Sequence, residues 1–173
     1  CGDWALACGL YTMAPDGSDL QRVTEPKEGE FYPNMLDDGR ILYTRWDYLM
    51  KGYNVIQQLW AVNPDGRAAS LIFGDHYAYS VGPIAFFEAR QVPGTSQVIC
   101  TGAAHHNTGV GPIMILDLGQ NRGTRTAMTN LTPEVGYPEI SNRVFREVVY
   151  DELPGKGISN TRSSTGWYSS PYP

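Results

Sequence analysis

One device occurs twice in this chain. LYTMAPDGSDLQRVT (Leu10–Thr24) and LWAVNPDGRAASLIF (Leu59–Phe73) each run an alternating apolar stretch into Pro-Asp-Gly and out into a second alternating stretch, 49 residues apart. Alternation with period two is the mark of a strand with two unlike faces. Proline presets the backbone for the first turn position, and glycine supplies a positive φ at low cost. Each copy therefore reads as strand, type I or I′ turn, strand. A weaker third copy, PIMILDLGQNRGTRTAMTNLT (Pro112–Thr132), begins its strand at Ile113, 54 residues after Leu59, and has a longer turn without Pro-Asp-Gly.

A second unit recurs between these hairpins. FYPNMLDDGRILYTRWD and ARQVPGTSQVICTGAAHH each hold a strand, a turn at Asp38-Gly39 or Pro93-Gly94, and a strand ending in threonine, Thr44 or Thr101. Two hairpins per period make four strands per roughly 50 residues, the spacing of β-propeller blades. The expectation is an all-β fold of antiparallel four-stranded blades. The chain reads as a single partial β-propeller domain, 1–173, of about three blades, with repeats near 10–58, 59–112 and 113–173. Nineteen glycines, 12 prolines and 11 tyrosines suit many short strands joined by turns. SSPYP at Ser169–Pro173 echoes EFYPN at Glu30–Asn34, the start of the second unit. Three blades leave unpaired sheet edges, so the reading is of a fragment of a longer chain, or of a ring closed by another chain.

Net charge is −5, and the 13 Lys and Arg are scattered. A duplex-binding protein concentrates basic residues on one face, so nucleic acid is not an expected partner. No run of 18 apolar residues is present, so no helical membrane span is expected. Neither the Gly-x-Ser-x-Gly nucleophile elbow nor the Gly-Lys-Ser/Thr of a phosphate loop occurs.

Candidate functional residues are few. Arg45, Trp46, Asp47 and Tyr48 close a strand; Arg45 can pair with Asp47 or with a carboxylate on a neighbouring blade, and the group suits a ligand or partner surface as well as packing between blades. Tyr77, Tyr79, Phe86 and Phe87 enrich the next connection in the same way. His105 and His106 are the weak metal candidates; adjacent on a strand they face opposite ways, so one ion takes both only if the chain turns there. Cys1 and Cys8 bracket a short loop and are a disulfide candidate, while Cys100 in QVIC reads as a small buried hydrophobe. Asp16, Asp37, Asp38 and Asp65 sit at turns and read as turn formers, not calcium ligands. The connections Leu49–Gln58 and His105–Pro112 are longer than a hairpin needs, and Gly155–Gly166 reads as a loop.

The pattern Pro-Asp-Gly-Ser-x-Leu-x-Arg, followed by Tyr-Pro and by Asp-Gly-Arg-Ile-Leu-Tyr-Thr-Arg, resembles the TolB-type propeller repeats of the translocation protein TolB and the tricorn protease. GRILYTRWDY, LWAVNPDG, ARQVPGTSQVICTGAAHH and SSPYP are similar to the propeller of the hydrazine synthase alpha subunit and its planctomycete relatives. The resemblance implies a propeller fold and a periplasmic or extracellular location, which a Cys1–Cys8 disulfide would suit. Hydrazine synthase does its chemistry at c-type haems. No Cys-x-x-Cys-His attachment motif is present here, so no catalytic residue is carried over, no cofactor is expected in this segment, and any c-type haem belongs elsewhere in a full-length chain. The expected function is a non-catalytic scaffold or binding module of a larger exported protein. The expected partners are other segments of the same chain or another protein chain that closes the propeller, a homo-oligomer included. The alternatives are the propeller portion of a hydrazine-synthase-like multihaem oxidoreductase and a structural subunit of an extracellular assembly.

Overall fold

A computed structural model describes residues 7–47, 57–74, 85–103, 109–120, 125–135, 137–138, 158–159 and 166–173. Over these residues the protein is all-β. Its strands are β1 (Tyr11–Thr12), β2 (Gln21–Arg22), β3 (Gly29–Met35), β4 (Ile41–Trp46), β5 (Gln57–Val62), β6 (Ser70–Phe73), β7 (Ala85–Gln91), β8 (Gln97–Ala103), β9 (Ile113–Asp117), β10 (Met128–Asn130), β11 (Tyr137–Pro138) and β12 (Ile158–Ser159). The helical content among the described residues is a 3₁₀ turn, Arg125–Ala127.

Both hairpin types form as the sequence predicts. β1 pairs with β2, β5 with β6, and β9 with β10. β3 pairs with β4, and β7 with β8. Antiparallel pairing of β4 with β5 and of β8 with β9 then joins the hairpins into two four-stranded meanders, β3–β6 and β7–β10. These units are offset from the sequence periods 10–58, 59–112 and 113–173. The hairpin that repeats most visibly in sequence is the second half of each unit, not its beginning. Antiparallel pairing holds within the units, but the sheet as a whole is mixed. β5 and β7 both start at the same end, so they meet in parallel at Gln57 and Ala85. β11 and β12 are also parallel.

The turns settle the choice between type I and type I′. Gly17, Gly39 and Gly66 have φ of 84°, 84° and 82°, while the aspartates before them stay at negative φ. Type I′ needs positive φ at both central residues. These are type I turns followed by a left-handed glycine. Gly17 N–H donates to Ala14 O, Gly39 N–H to Leu36 O and Gly66 N–H to Asn63 O at 2.8–2.9 Å. Asp16, Asp38 and Asp65 each accept the backbone N–H two residues on at 3.0 Å. The turn aspartates therefore hold their own loops, as their spacing suggests.

The core shows how the units stack. Leu42, Leu59 and Ala61 on one face of β3–β6 share a core cluster with Phe86, Val98, Cys100, Met114 and Leu116 of β7–β10. Phe73 and Phe86 meet edge to face, ring centroids 5.4 Å apart. On the opposite face of β3–β6, Ile41, Tyr43 and Val62 pack with Leu10 and Val23 of the β1–β2 hairpin. Successive side chains of β4 thus serve two different interfaces. That is why ILYT is buried at every position instead of alternating between core and solvent. Cys100 is fully buried, as expected, and burial pushes its thiol pKa up.

Side-chain hydrogen bonds fasten the stack. Thr44 Oγ1, 1% exposed, donates to Phe86 O at 2.5 Å. At the opposite end, Asp37 N–H donates to Gln91 Oε1 at 2.7 Å and Gly94 N–H donates to Asp37 Oδ2 at 2.9 Å, joining the turns of the two units.

Candidate functional site

The two ends of the sheet differ. The tight turns around Gly39, Gly66 and Gly94 all lie at one end. The other end collects the start of β3, the end of β4, the start of β5, the start of β7 and the end of β8. The longer connections, residues 47–56, 74–84 and 104–112, all leave from this second end. Long connections displayed by a rigid sheet are where binding surfaces are usually built.

Arg45, Trp46 and Asp47 lie at this end and come together in part. Arg45 Nε donates to Asp47 Oδ1 at 2.8 Å. The Arg45 guanidinium also covers the Trp60 ring, 4.5 Å from its centroid, a favourable arrangement for a planar cation on an aromatic face. The Arg45 and Asp47 side chains are 32% and 18% exposed, so the pair is partly shielded from water. Trp46 is half-buried. Tyr48, His105, His106 and Cys1 lie outside the described residues, as do Tyr77 and Tyr79; Cys8 is exposed. Among the described residues, no three His, Cys, Asp or Glu side chains converge as metal ligands do.

Behind the Arg45–Asp47 pair is a polar group that the sequence does not mark. Glu30, second residue of β3, is 4% exposed. Its Oε2 accepts the Thr24 hydroxyl, and Thr24 Oγ1 in turn accepts Leu10 N–H at 2.9 Å. Glu30 N–H donates to Cys8 O at 2.9 Å. One carboxylate thus ties the N-terminal hairpin to the sheet. Burial raises the Glu30 pKa above its ordinary 4.5, against the lowering pull of the Thr24 hydrogen bond and of Arg45. Tyr43, fully buried beside this group, has a hydroxyl without a hydrogen bond of ordinary geometry, although Arg45 approaches closely enough to pull its pKa down. Burial, with the Glu30 charge second, pushes its pKa up to about 12.

A second constellation lies on the first strand of each unit. β3 and β7 each carry a bulge, between Phe31 and Asn34 and between Phe87 and Arg90. The first of the two residues in each bulge is left-handed: Tyr32 has φ 55° and Glu88 has φ 54°. Ser170, in the segment that echoes β3, has φ 51°. Side chains other than glycine pay about 1–3 kcal/mol for such a backbone, and a bulge re-aims the side chain it carries. The three residues form one connected group. Glu88 Oε1 accepts the Ser170 hydroxyl at 2.8 Å, and Glu88 Oε2 accepts Ser170 N–H. Burial and then the Glu88 charge raise the Tyr32 pKa. The Tyr32 ring packs on Phe87, centroids 5.5 Å apart. Two residues beyond Glu88 and Ser170, Arg90 covers the Tyr172 ring, 5.3 Å from its centroid.

The chain matches no protein-family model, no curated protein and no solved structure.

Proposed function

We propose that this chain is part of a β-propeller that acts as a non-catalytic scaffold, and that it binds a protein partner at the end from which the long connections leave. Each four-stranded meander is then one blade, and β1–β2 is the outer half of the blade before. The observation that carries this reading is the repeated stack. Two meanders of the same strand order lie face to face, with the same bulge in the same strand, and Leu59 of the first faces the second as Leu10 of the hairpin faces the first. Propellers are built by that repetition. The Arg45–Asp47 pair on the Trp60 ring provides a fixed, partly desolvated charge with aromatic neighbours, the composition of an interface anchor. The setting, within a larger exported protein related to the hydrazine synthase alpha propeller, rests on the sequence resemblance.

The test compares opposite ends of the sheet. Trp46→Ser alters the long-connection end, and Asp65→Lys alters the tight-turn end. Chemical cross-linking of each purified variant with an exported-protein fraction is read by mass spectrometry. A partner captured by the native chain and by Asp65→Lys but lost with Trp46→Ser supports the reading. A partner lost with Asp65→Lys and kept with Trp46→Ser overturns it, as does the absence of any partner dependent on either end.

A further inference from the structure

Glu30 lies in the seam between the hairpin and the first unit. Among the described residues no other Asp, Glu, Lys or Arg is buried. Arg45 is its direct cross-strand partner in the β3–β4 register, the position at which opposite charges on neighbouring strands attract. The guanidinium nevertheless pairs with Asp47, Nε to Oδ1 at 2.8 Å, and lies on the Trp60 ring. Glu30 is left with a neutral donor, the Thr24 hydroxyl. A carboxylate taken out of water needs a cation or a proton. Here the cation stands beside it and is held by Asp47, the more exposed of the two carboxylates.

The groups around Glu30 leave the outcome to one proton. Tyr43 and Arg45 face it from β4, and Asp47 from just beyond that strand. The segment that ends the hairpin contributes the uncharged Thr24, while its charged Arg22 and Glu25 pair with each other at the surface. Cys8 contributes its carbonyl, which accepts Glu30 N–H. Arg45 keeps its charge throughout the accessible pH range. Tyr43 stays neutral in acid, since burial pushes its pKa up to about 12. Arg45 favours the ionised form of Glu30 and Asp47 opposes it; burial is the largest influence and raises the Glu30 pKa above 4.5.

We propose that Glu30 is a proton-operated switch on Arg45: protonated, it leaves the guanidinium with Asp47 over Trp60, and ionised, it draws the guanidinium inward and loosens the pair with Asp47. A guanidinium has donors for both carboxylates, and a charge-assisted bond to the buried one replaces the proton that Glu30 gives up. The hold of Arg45 on Asp47 therefore weakens as pH rises through the folded pKa of Glu30. Every group in the switch belongs to residue 8, the hairpin segment, β3, β4 or the residue after β4, so further blades of a larger propeller leave it in place. Arg45 is also the fixed charge at the end proposed to bind a partner. Control of that binding by pH rests on the binding reading; the switch itself does not.

The experiment follows the Arg45 Nε–H signal of the nitrogen-15-labelled chain by nuclear magnetic resonance from pH 4 to 7, with no partner present. Arg45→Lys assigns the signal by its loss. The native signal is expected to shift with one midpoint above pH 4.5, shared with the Glu30 carboxyl carbon. Glu30→Gln is expected to abolish the shift. Asp47→Asn releases Arg45 to Glu30 and is expected to lower the Glu30 midpoint by roughly one pH unit or more. A Glu30 that only fastens the hairpin leaves the Arg45 signal flat, and that result overturns the proposal. So does a shift that survives in Glu30→Gln, or a Glu30 midpoint that Asp47→Asn does not lower. Should Glu30→Gln not fold, the shared midpoint of the native chain and the Asp47→Asn shift carry the test. No partner takes part, so failure here leaves the binding reading standing, and failure to capture a partner leaves the switch standing.

Discussion

Glu88 holds Ser170 by both its backbone N–H and its hydroxyl, although 82 residues separate them. Both residues carry the left-handed backbone that Tyr32 carries in the first unit. The contact therefore joins two residues of the same backbone conformation. It seats residues 166–173 beside β7, where β7 itself sits beside β3.

Removing that carboxylate should free the segment without unfolding the sheet. Hydrogen bonds to a charged acceptor contribute roughly 1.5–3 kcal/mol when well shielded. The Ser170 side of this contact is exposed, so the smaller effect is expected. Glu88→Ala should speed amide exchange at Ser170 by about ten-fold and leave Val98 and Met114 protected. Hydrogen exchange read residue by residue checks this.

The inter-unit bond from Thr44 to Phe86 should matter more than its single hydrogen bond suggests. Thr44→Val keeps the shape but leaves a buried carbonyl without its donor, which costs about 1–3 kcal/mol. For a domain of this size that is a fall in Tm of several degrees, at roughly 2–4 °C per kcal/mol. Thr101→Val should cost less, because Thr101 reaches Glu88 at only 3.5 Å. Thermal unfolding of the two variants side by side tests the order.

Tyr43→Phe should go the other way. The Tyr43 hydroxyl is buried without a hydrogen bond of ordinary geometry, and such a group costs free energy for as long as it stays dry. Its removal should leave stability unchanged or raise it by about 1 kcal/mol, with no void of consequence. A fall of more than about 1 kcal/mol would show that the hydroxyl makes a bond essential to the cluster with Glu30 and Arg45.

Glu30 gives stability an unusual pH dependence. Burial raises its folded pKa above 4.5, so the folded state holds the proton more tightly than the unfolded chain. Its contribution is then fully present below about pH 4.5 and is lost as pH rises through the folded pKa. Paired carboxylates behave in the opposite sense. Glu30→Gln should flatten this slope between pH 4 and 7, and differential unfolding of the two proteins across that range would show it.

Gly66 should tolerate alanine least among the turn glycines. A Cβ there would lie 2.5 Å from Val23 O, whereas at Gly17 and Gly39 it would meet nothing within 4 Å. All three positions carry positive φ, so each substitution costs about 1–2 kcal/mol of backbone strain. Gly66→Ala adds a clash with the neighbouring hairpin, and its unfolding midpoint should fall furthest.

The strands, the turns and the pairing of neighbours were legible because they depend on residues close in the chain. Alternation and Pro-Asp-Gly define β1–β2 and β5–β6, and Asp38-Gly39 defines β3–β4. Which hairpins join into one unit was not legible in the same way. The answer lies in the β4–β5 pairing across a long connection and in which face of β4 meets which neighbour. Of the candidate site, Arg45 and Asp47 stood out as opposite charges beside aromatics. Trp60, which completes that group, reads in the sequence as an ordinary strand residue. Glu30 was hidden because a carboxylate at a strand start reads as solvent-facing, and its burial depends on a hairpin that begins 19 residues earlier. Tyr32, Glu88 and Ser170 share no side-chain type, so they become related only through the backbone.

The central claim is the order of stacking: hairpin, first unit, second unit, with β4 and β5 of the first unit each serving two interfaces. Methyl-labelled nuclear Overhauser spectra test it most directly. The account expects Leu42 and Leu59 to show contacts with Val98 and Met114, and Ile41 and Val62 to show contacts with Leu10 and Val23. Contacts from Leu42 to Leu10, or from Val62 to Met114, would mean that the faces are assigned wrongly and that the units do not stack as repeats.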